Sequence, residues 1–278
     1  MLLNILKAKS NILTKNLFAD LWKKNSGADS GGDDEDDDVE IVSWAEGTAA
    51  QIKAMLDAEK AGKINTSDYW NVGDTREIQL SGIASYSVNG TQIVAAQSSQ
   101  TVEVALAHKG LYKDANNQTV CWVVTFVDCL SQKGKMNGTN TNAGSWEDSA
   151  IRDYLNNYVF QSMSEDDRSL FAQFKTLTAE TYNGTSLETS NDYLALLAEK
   201  EIFGAETYSN DTESNALTQL DYYKTENSHI KTVNGSQDYW WQRSPEKNYD
   251  SAFCLVNIGG ASFNPASDAF GISPFGCI

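Results

Sequence analysis

The chain has 278 residues, 41 % of them apolar, and 21 Lys and Arg stand against 38 Asp and Glu for a formal net charge of -17. This is enough for one large core or two small ones, and the acidic balance excludes a nucleic-acid-binding surface, which needs clustered Lys and Arg. No run of about 18 apolar residues suggests a membrane span, and the start lacks the apolar centre and small-residue cleavage site of a secretory signal, so synthesis in the cytoplasm is expected.

Residues 2 to 24 place Leu3, Leu6, Leu13, Leu17 and Leu21 at near-helical spacing, with Lys7, Lys9, Lys15, Lys23 and Lys24 between them. The pattern predicts a basic amphipathic helix over 1–25. Its apolar face needs a partner: a second copy, a larger particle such as a virion, an anionic membrane surface, or its own domain. Residues 26–38 are Gly, Ser, Ala and acid, and their charges repel, so they read as an extended solvated linker. The folded body covers 39–278. TAAQIKAMLDAEKAGKI is a helix with Thr48 as N-cap and Gly62 as stop. TREIQLSGI, TQIVAA and TVEVALAH read as strands, with Asn89-Gly90 turning between the first two. VCWVVTFVDCL is the most apolar strand and is expected at the centre of a sheet.

NAGSWEDSAIRDYLNNYVFQSM predicts a helix laid on that sheet, capped by Ser145, with Glu147 and Asp148 in its first turn and Ile151, Tyr154, Leu155 and Tyr158 on one face. A second helix is expected around DYLALLAEKEIFG. After SQDYWWQRSPEK, the tail has no helical period and carries Gly259-Gly260, Pro265, Gly271 and Pro274, so short strands joined by long loops are predicted. The fold class is α+β: a twisted antiparallel sheet, flanking helices and long C-terminal loops.

Cys121, Cys129, Cys254 and Cys277 fit no metal-ligand spacing, and His108 and His229 are the only histidines, so no metal and no cofactor are expected. Cys121 and Cys129 would be about 26 Å apart on one extended strand and cannot pair there. Buried free thiols are the expectation. The end of the chain is compositionally odd. Lys, Glu, Gln, Met and Trp make up about a fifth of the chain, yet none of the five occurs from Asn248 to Ile278.

YWNVGDTREIQL, GSWEDSAIRDYLN and YWWQRSP, followed by a Gly-, Asn- and Ser-rich end closing on GISPFGCI, resemble phage and prophage proteins with a C-type-lectin-like domain, related in fold to formylglycine-generating enzymes. In form the ending is similar to the variable proteins of diversity-generating retroelements. In that family, adenine-directed mutagenesis turns Asn codons into NNY codons, which cannot encode Lys, Glu, Gln, Met or Trp. The resemblance implies a C-type-lectin-like domain over 39–278 and a variable ligand-binding segment over 248–274. Contact area would come from Tyr249, Leu255, Ile258, Ala261, Phe263, Pro265 and Phe270. Adaptable hydrogen bonds would come from Asn248, Asp250, Ser251, Asn257, Asn264 and Asp268. The scaffold would be Trp240, Trp241, Arg243 and Ser244, with Gly260 and Gly271 allowing tight turns. The implied function is that of a receptor or adhesin without catalysis, whose partner is a macromolecule such as a host-surface protein or glycan.

Two other readings compete. An oxidase of the formylglycine-generating kind would need a reactive Cys254 or Cys277, and no His or Lys is near either in sequence to activate it. A sugar-binding lectin or virion structural module is the other, but the EPN, QPD and WND ligand motifs of calcium-dependent lectins are missing.

Overall fold

The structure is a computed structural model that describes residues 39–225 and 229–278; the predicted N-terminal helix and acidic linker lie outside them. The described residues form two compact units, one ending at Asn71 and one running from Val72 to Ile278. In the first, helix α1 (Ala49–Lys60) begins as expected at Thr48, whose hydroxyl accepts from the Gln51 N–H while the Gln51 side chain accepts from the Thr48 N–H. Two otherwise orphaned donors are thereby satisfied. Gly62, at φ 71, closes the helix in the left-handed region. Ile52, Met55 and Leu56 are buried, and Trp44 packs on Trp70 with ring centroids 5.8 Å apart.

The second unit is built on an antiparallel sheet of β1 (Thr75–Leu80), β4 (Gln100–Lys109), β5 (Trp122–Phe126), β14 (Pro274–Cys277) and β8 (Leu194–Leu196), in that spatial order. β5 is central, as its apolar run demands, and every residue in it is buried. The chain end is therefore part of the core. Cys121 and Trp122 donate backbone N–H groups to the Ile278 carbonyl at 2.9 and 3.1 Å. A side chain at Gly276 would meet the Phe171 ring at 2.8 Å, so only glycine fits there.

Asn89 and Gly90, both at positive φ, form a tight turn, but it joins β2 (Tyr86–Val88) to β3 (Thr91–Val94) rather than to TREIQL, and β2 was not foreseen. The capping assignment for the next helix also needs correction. Ser149, not Ser145, caps α2 (Ala150–Tyr154), accepting from the Arg152 N–H. Ser145 sits at φ 50 with its hydroxyl on the Ala179 carbonyl, so Glu147 and Asp148 precede the helix instead of forming its first turn. α2 continues through a π-helical segment, Leu155–Val159, and a last turn, Phe160–Ser162. Ile151, Tyr154 and Leu155 are buried as expected, and Tyr158 is half-buried.

The GSWEDSAIR block has a structural purpose in this framework. Trp146 Nε1 and Arg152 Nε donate to the two oxygens of buried Asp192 at 2.9 and 2.6 Å, and Thr176 adds a third bond at 2.6 Å. This ties the helix to the hairpin of β6 (Phe174–Ala179) and β7 (Leu187–Asp192). The predicted second helix is the other correction. Leu194–Leu196 is the edge strand β8, and only Glu199–Phe203 is helical, ended by Gly204 at φ 72. Chain composition favoured helix there, but pairing with β14 and complete burial of three apolar residues outweigh a propensity difference of a few tenths of a kcal/mol per residue. The described residues are thus mixed helix and sheet, mostly antiparallel strands with few helices. No helix among them is long and apolar enough to cross a membrane.

Candidate ligand-binding surface

After the short hairpin of β9 (Lys231–Val233) and β10 (Ser236–Asp238), a three-stranded sheet carries the segment that the sequence singles out. Its order is β11 (Trp240–Pro245), β12 (Ala252–Asn257) and β13 (Gly260–Pro265). The expected long loop between the last two is instead a two-residue connection, Ile258-Gly259, in which Asn257 Oδ1 accepts from the Gly259 N–H at 2.7 Å. Gly260 follows at φ 128, a conformation that side-chain-bearing residues rarely adopt. Gly271 acts differently from expectation. It makes no positive-φ turn; a Cβ there would lie 2.7 Å from Cys129 Sγ and 2.9 Å from the Tyr239 carbonyl, so its requirement is close approach.

β11 is wholly buried and belongs to the frame. Trp240 and Trp241 are fully enclosed, and their indole N–H groups donate to the carbonyls of His229 and Gly134 at 3.0 and 2.8 Å. Arg243 makes two bonds to Glu201, at 2.6 and 2.9 Å, and donates to the carbonyls of Leu196 and Leu177. A guanidinium with no access to water needs such a set of partners. Ser244 donates to Glu213 and accepts from the Glu199 N–H. Burial raises the Glu213 carboxyl above its ordinary range, opposed by Arg243 and Ser244.

β12 and β13 are paired residue by residue yet differ in exposure. Every β12 residue up to Val256 is buried, whereas all six residues of β13 are half-exposed. Leu255 is therefore corrected from contact residue to core. It is completely buried in the middle strand, between Trp241 on one side and Ser262 on the other. Directly paired residues share a face, so Leu255 lies on the opposite face from Phe263, which pairs with Cys254.

The remaining candidates surround β13. Tyr249 is 53 % exposed and stacks on Phe263, centroids 5.5 Å apart at 25°. Tyr208 meets the same Phe263 ring at 5.0 Å. Ile258, at the hairpin tip, is 54 % exposed; Asn248, Asp250 and Asp268 are also exposed, while Ser251, Asn257, Ala261, Asn264 and Pro265 are half-buried. Phe270 is not part of this strip. It is half-buried in a separate cluster, stacked on Tyr239 at 6.0 Å and edge-on to Trp241 at 5.0 Å.

Three supporting residues were missed in the sequence. Buried Asn142 donates through its amide to the carbonyls of Tyr249 and Ala252 at 2.8 and 2.9 Å, and its N–H donates to the Asp250 carbonyl. Asn140 Oδ1 accepts from the Ser267 N–H and hydroxyl, and Tyr208 completes the aromatic strip. Asn140 and Asn142 are more than 100 residues from their partners, so no local spacing reveals them.

The thiols offer no nucleophile at this surface. All four cysteines are buried thiols, and burial pushes Cys254 and Cys277 well above the ordinary thiol range and Cys129 up to about 12. No group of three or more His, Cys, Asp or Glu poised to hold a metal occurs among the described residues.

Residues 116–278, more than half of the chain, match the family model described as a domain of unknown function, DUF6273. The chain belongs to the DUF6273 family. No curated protein and no solved structure matches it. The DUF6273 region begins just before β5 and includes β14, so it contains the whole C-terminal hairpin, the buried WWQRSP strand and α2.

Proposed function

We propose that this DUF6273 protein is a phage- or prophage-encoded binding protein, and that the loop 248–251, the hairpin tip at Ile258 and the β13 edge through Asp268 form its diversified contact surface for a macromolecular ligand. One observation carries the reading. Within one hairpin, β12 is sealed in the core while β13 and the flanking loop are open, so contact residues can change without changing the fold. The stacked Tyr249 and Phe263, the exposed Ile258 and the small polar residues around them supply rigid aromatic area and adaptable hydrogen bonds. The absence of Lys, Glu, Gln, Met and Trp from 248–278 is what NNY codons would leave.

The scaffold we infer is C-type-lectin-like. Supporting it, the final strand β14 returns to lie beside β5, and the chain between them carries α2, the β6–β7 hairpin and the β11–β13 sheet, re-entering the main sheet at the edge strand β8. Cytoplasmic synthesis and display on a particle fit the same reading. An oxidase that uses Cys254 or Cys277 is disfavoured, because a thiol sealed from water and held protonated is a poor nucleophile.

The test is a displayed library with NNY codons at Tyr249, Asp250, Ile258, Phe263, Asn264 and Asp268, and a second library at Ala252, Leu255 and Val256. Most members of the first library should fold, and selection on an unrelated protein target should yield binders with changes at those positions. Few members of the second should fold. Equal tolerance in both libraries, or a first library that is mostly unfolded, would overturn the assignment.

A further inference from the structure

A second concave site, separate from the C-terminal hairpin, is a cleft of about 660 Å³ in the same unit. It brings together the β2–β3 hairpin, the loop at 137–143, the first turns of α2 with its π-helical segment, Asn191 near the end of β7 and Tyr193 just after it. That volume is in the range of small-molecule and glycan sites, roughly 300–1,000 Å³. The chemistry of its lining narrows the class of ligand.

Part of the lining is a locked frame. Asn156 donates to the carbonyls of Arg152 and Leu194 and accepts from the N–H groups of Tyr193 and Leu194, so its amide is fully used. It belongs to the π-helical segment, a distortion that recurs at functional sites because it re-aims side chains. Among the described residues Arg152 is the only cationic one lining the cleft, and its guanidinium is consumed by Asp192 and by the carbonyls of Glu147 and Asn191. No lysine among the described residues lines the cleft, whereas Glu147, Asp148 and Asp153 do. A phosphate, sulfate or carboxylate ligand would meet repulsion there.

The other part is uncommitted. The side chains of Asn89, Thr139, Gln173 and Asn191 line the cleft and take part in none of the side-chain hydrogen bonds among the described residues. Each offers a donor and an acceptor. Tyr193 adds an aromatic ring, half-buried and stacked face to face on Phe160 at 4.3 Å and 8°, which fixes the ring and covers one side of it. Tyr86 is a second ring, held by Tyr158 at 5.0 Å and Tyr154 at 5.9 Å. Fixed aromatic rings, unpaired amides and hydroxyls, carboxylate acceptors and no available cation suit a ligand that is neutral, rich in hydroxyls and apolar on its C–H faces.

We propose that this cleft binds a neutral oligosaccharide, with pyranose C–H faces against Tyr193 or Tyr86 and hydroxyls on Asn89, Gln173 and Asn191. The inference does not rest on the C-terminal surface, and either site can fail without the other.

The test uses the ¹⁵N-labelled full chain, titrated with cellotriose, maltotriose, mannotriose and chitotriose, and with sialyllactose and tetralysine as charged probes. At least one neutral trisaccharide should shift the side-chain amides of Asn89, Gln173 and Asn191, with Kd in the range of about 0.1 to 5 mM. Asn191→Ala and Gln173→Ala should each weaken that binding by about threefold or more, with spectra unchanged away from the cleft. Tyr193→Phe, which keeps the stacked ring, should retain it. The proposal is overturned if no neutral trisaccharide shifts these amides at about 20 mM, if shifts fall on 248–268 instead, or if only sialyllactose or tetralysine shifts them.

Discussion

Leu255→Ala and, separately, Ile258→Ser, Tyr249→Ser and Phe263→Ser divide core from surface within a single hairpin. Leu255 is completely buried in the middle strand, so truncation removes apolar contacts on every side and leaves a cavity, at a cost of about 2–5 kcal/mol. Ile258 at the tip is 54 % exposed, and its replacement should cost about 0.5–1 kcal/mol or less. Tyr249 loses one stacked contact with Phe263, worth about 0.5–1.5 kcal/mol. Phe263 touches both Tyr249 and Tyr208 and should be the most costly of the three surface changes, at about 1–2 kcal/mol. Urea unfolding followed by tryptophan fluorescence reads these differences as shifts in midpoint at constant slope. The division is refuted if Leu255→Ala costs less than about 1 kcal/mol or Ile258→Ser more than about 2 kcal/mol.

Lys231 is enclosed by Tyr223 and Trp240 and donates to the carbonyls of Phe126 and Val127, and burial lowers its ammonium from 10.5 to about 8. Because the unfolded chain binds the proton more tightly, Lys231 costs stability below pH 8 and that cost is relieved as pH rises towards 10.5, by about 3 kcal/mol in all. The stability difference between Lys231→Met and the parent should therefore shift in the parent's favour from pH 7.5 to 10, since the buried thiols and tyrosines common to both largely cancel; a flat difference would show that the lysine reaches water. Iodoacetamide at pH 7.5 should alkylate all four cysteines of the folded chain about 100-fold or more slowly than those of the unfolded chain, and fast, selective labelling of Cys254 or Cys277 would revive the oxidase reading. Glu201→Leu strands Arg243 in the core and should cost about 3–5 kcal/mol, while the double change with Arg243→Met should cost less than the single one; equal or greater loss in the double variant would mean that the pair contributes net stability.

The features legible in the sequence are those whose causes are local. Thr48 and Gln51 satisfy each other's backbone within one turn, Asn89-Gly90 fixes its own backbone, and the run from Trp122 to Phe126 is too apolar to lie anywhere but in the middle of a sheet. The misplacements come from competition. Ser145 and Ser149 both offer a capping hydroxyl, and distant Ala179 claims the first. Leu194–Leu196 forms a strand because the chain end pairs with it, and nothing nearby announces that partner. In the tail, composition marked the segment but not its strands; the difference in burial that hides Leu255 and leaves Phe263 half-exposed follows β12 lying between two strands and β13 at the edge.

The nucleotide sequence around the gene tests diversification of the C-terminal surface most directly. The expected result is a near-copy of the segment encoding 248–278 close to a reverse-transcriptase gene, differing from it only where the copy carries adenine, with those differences in codons for Tyr249, Asp250, Ile258, Phe263, Asn264 or Asp268. Absence of such a near-copy and reverse-transcriptase gene, or differences concentrated at buried Ala252, Phe253 and Leu255, would contradict it.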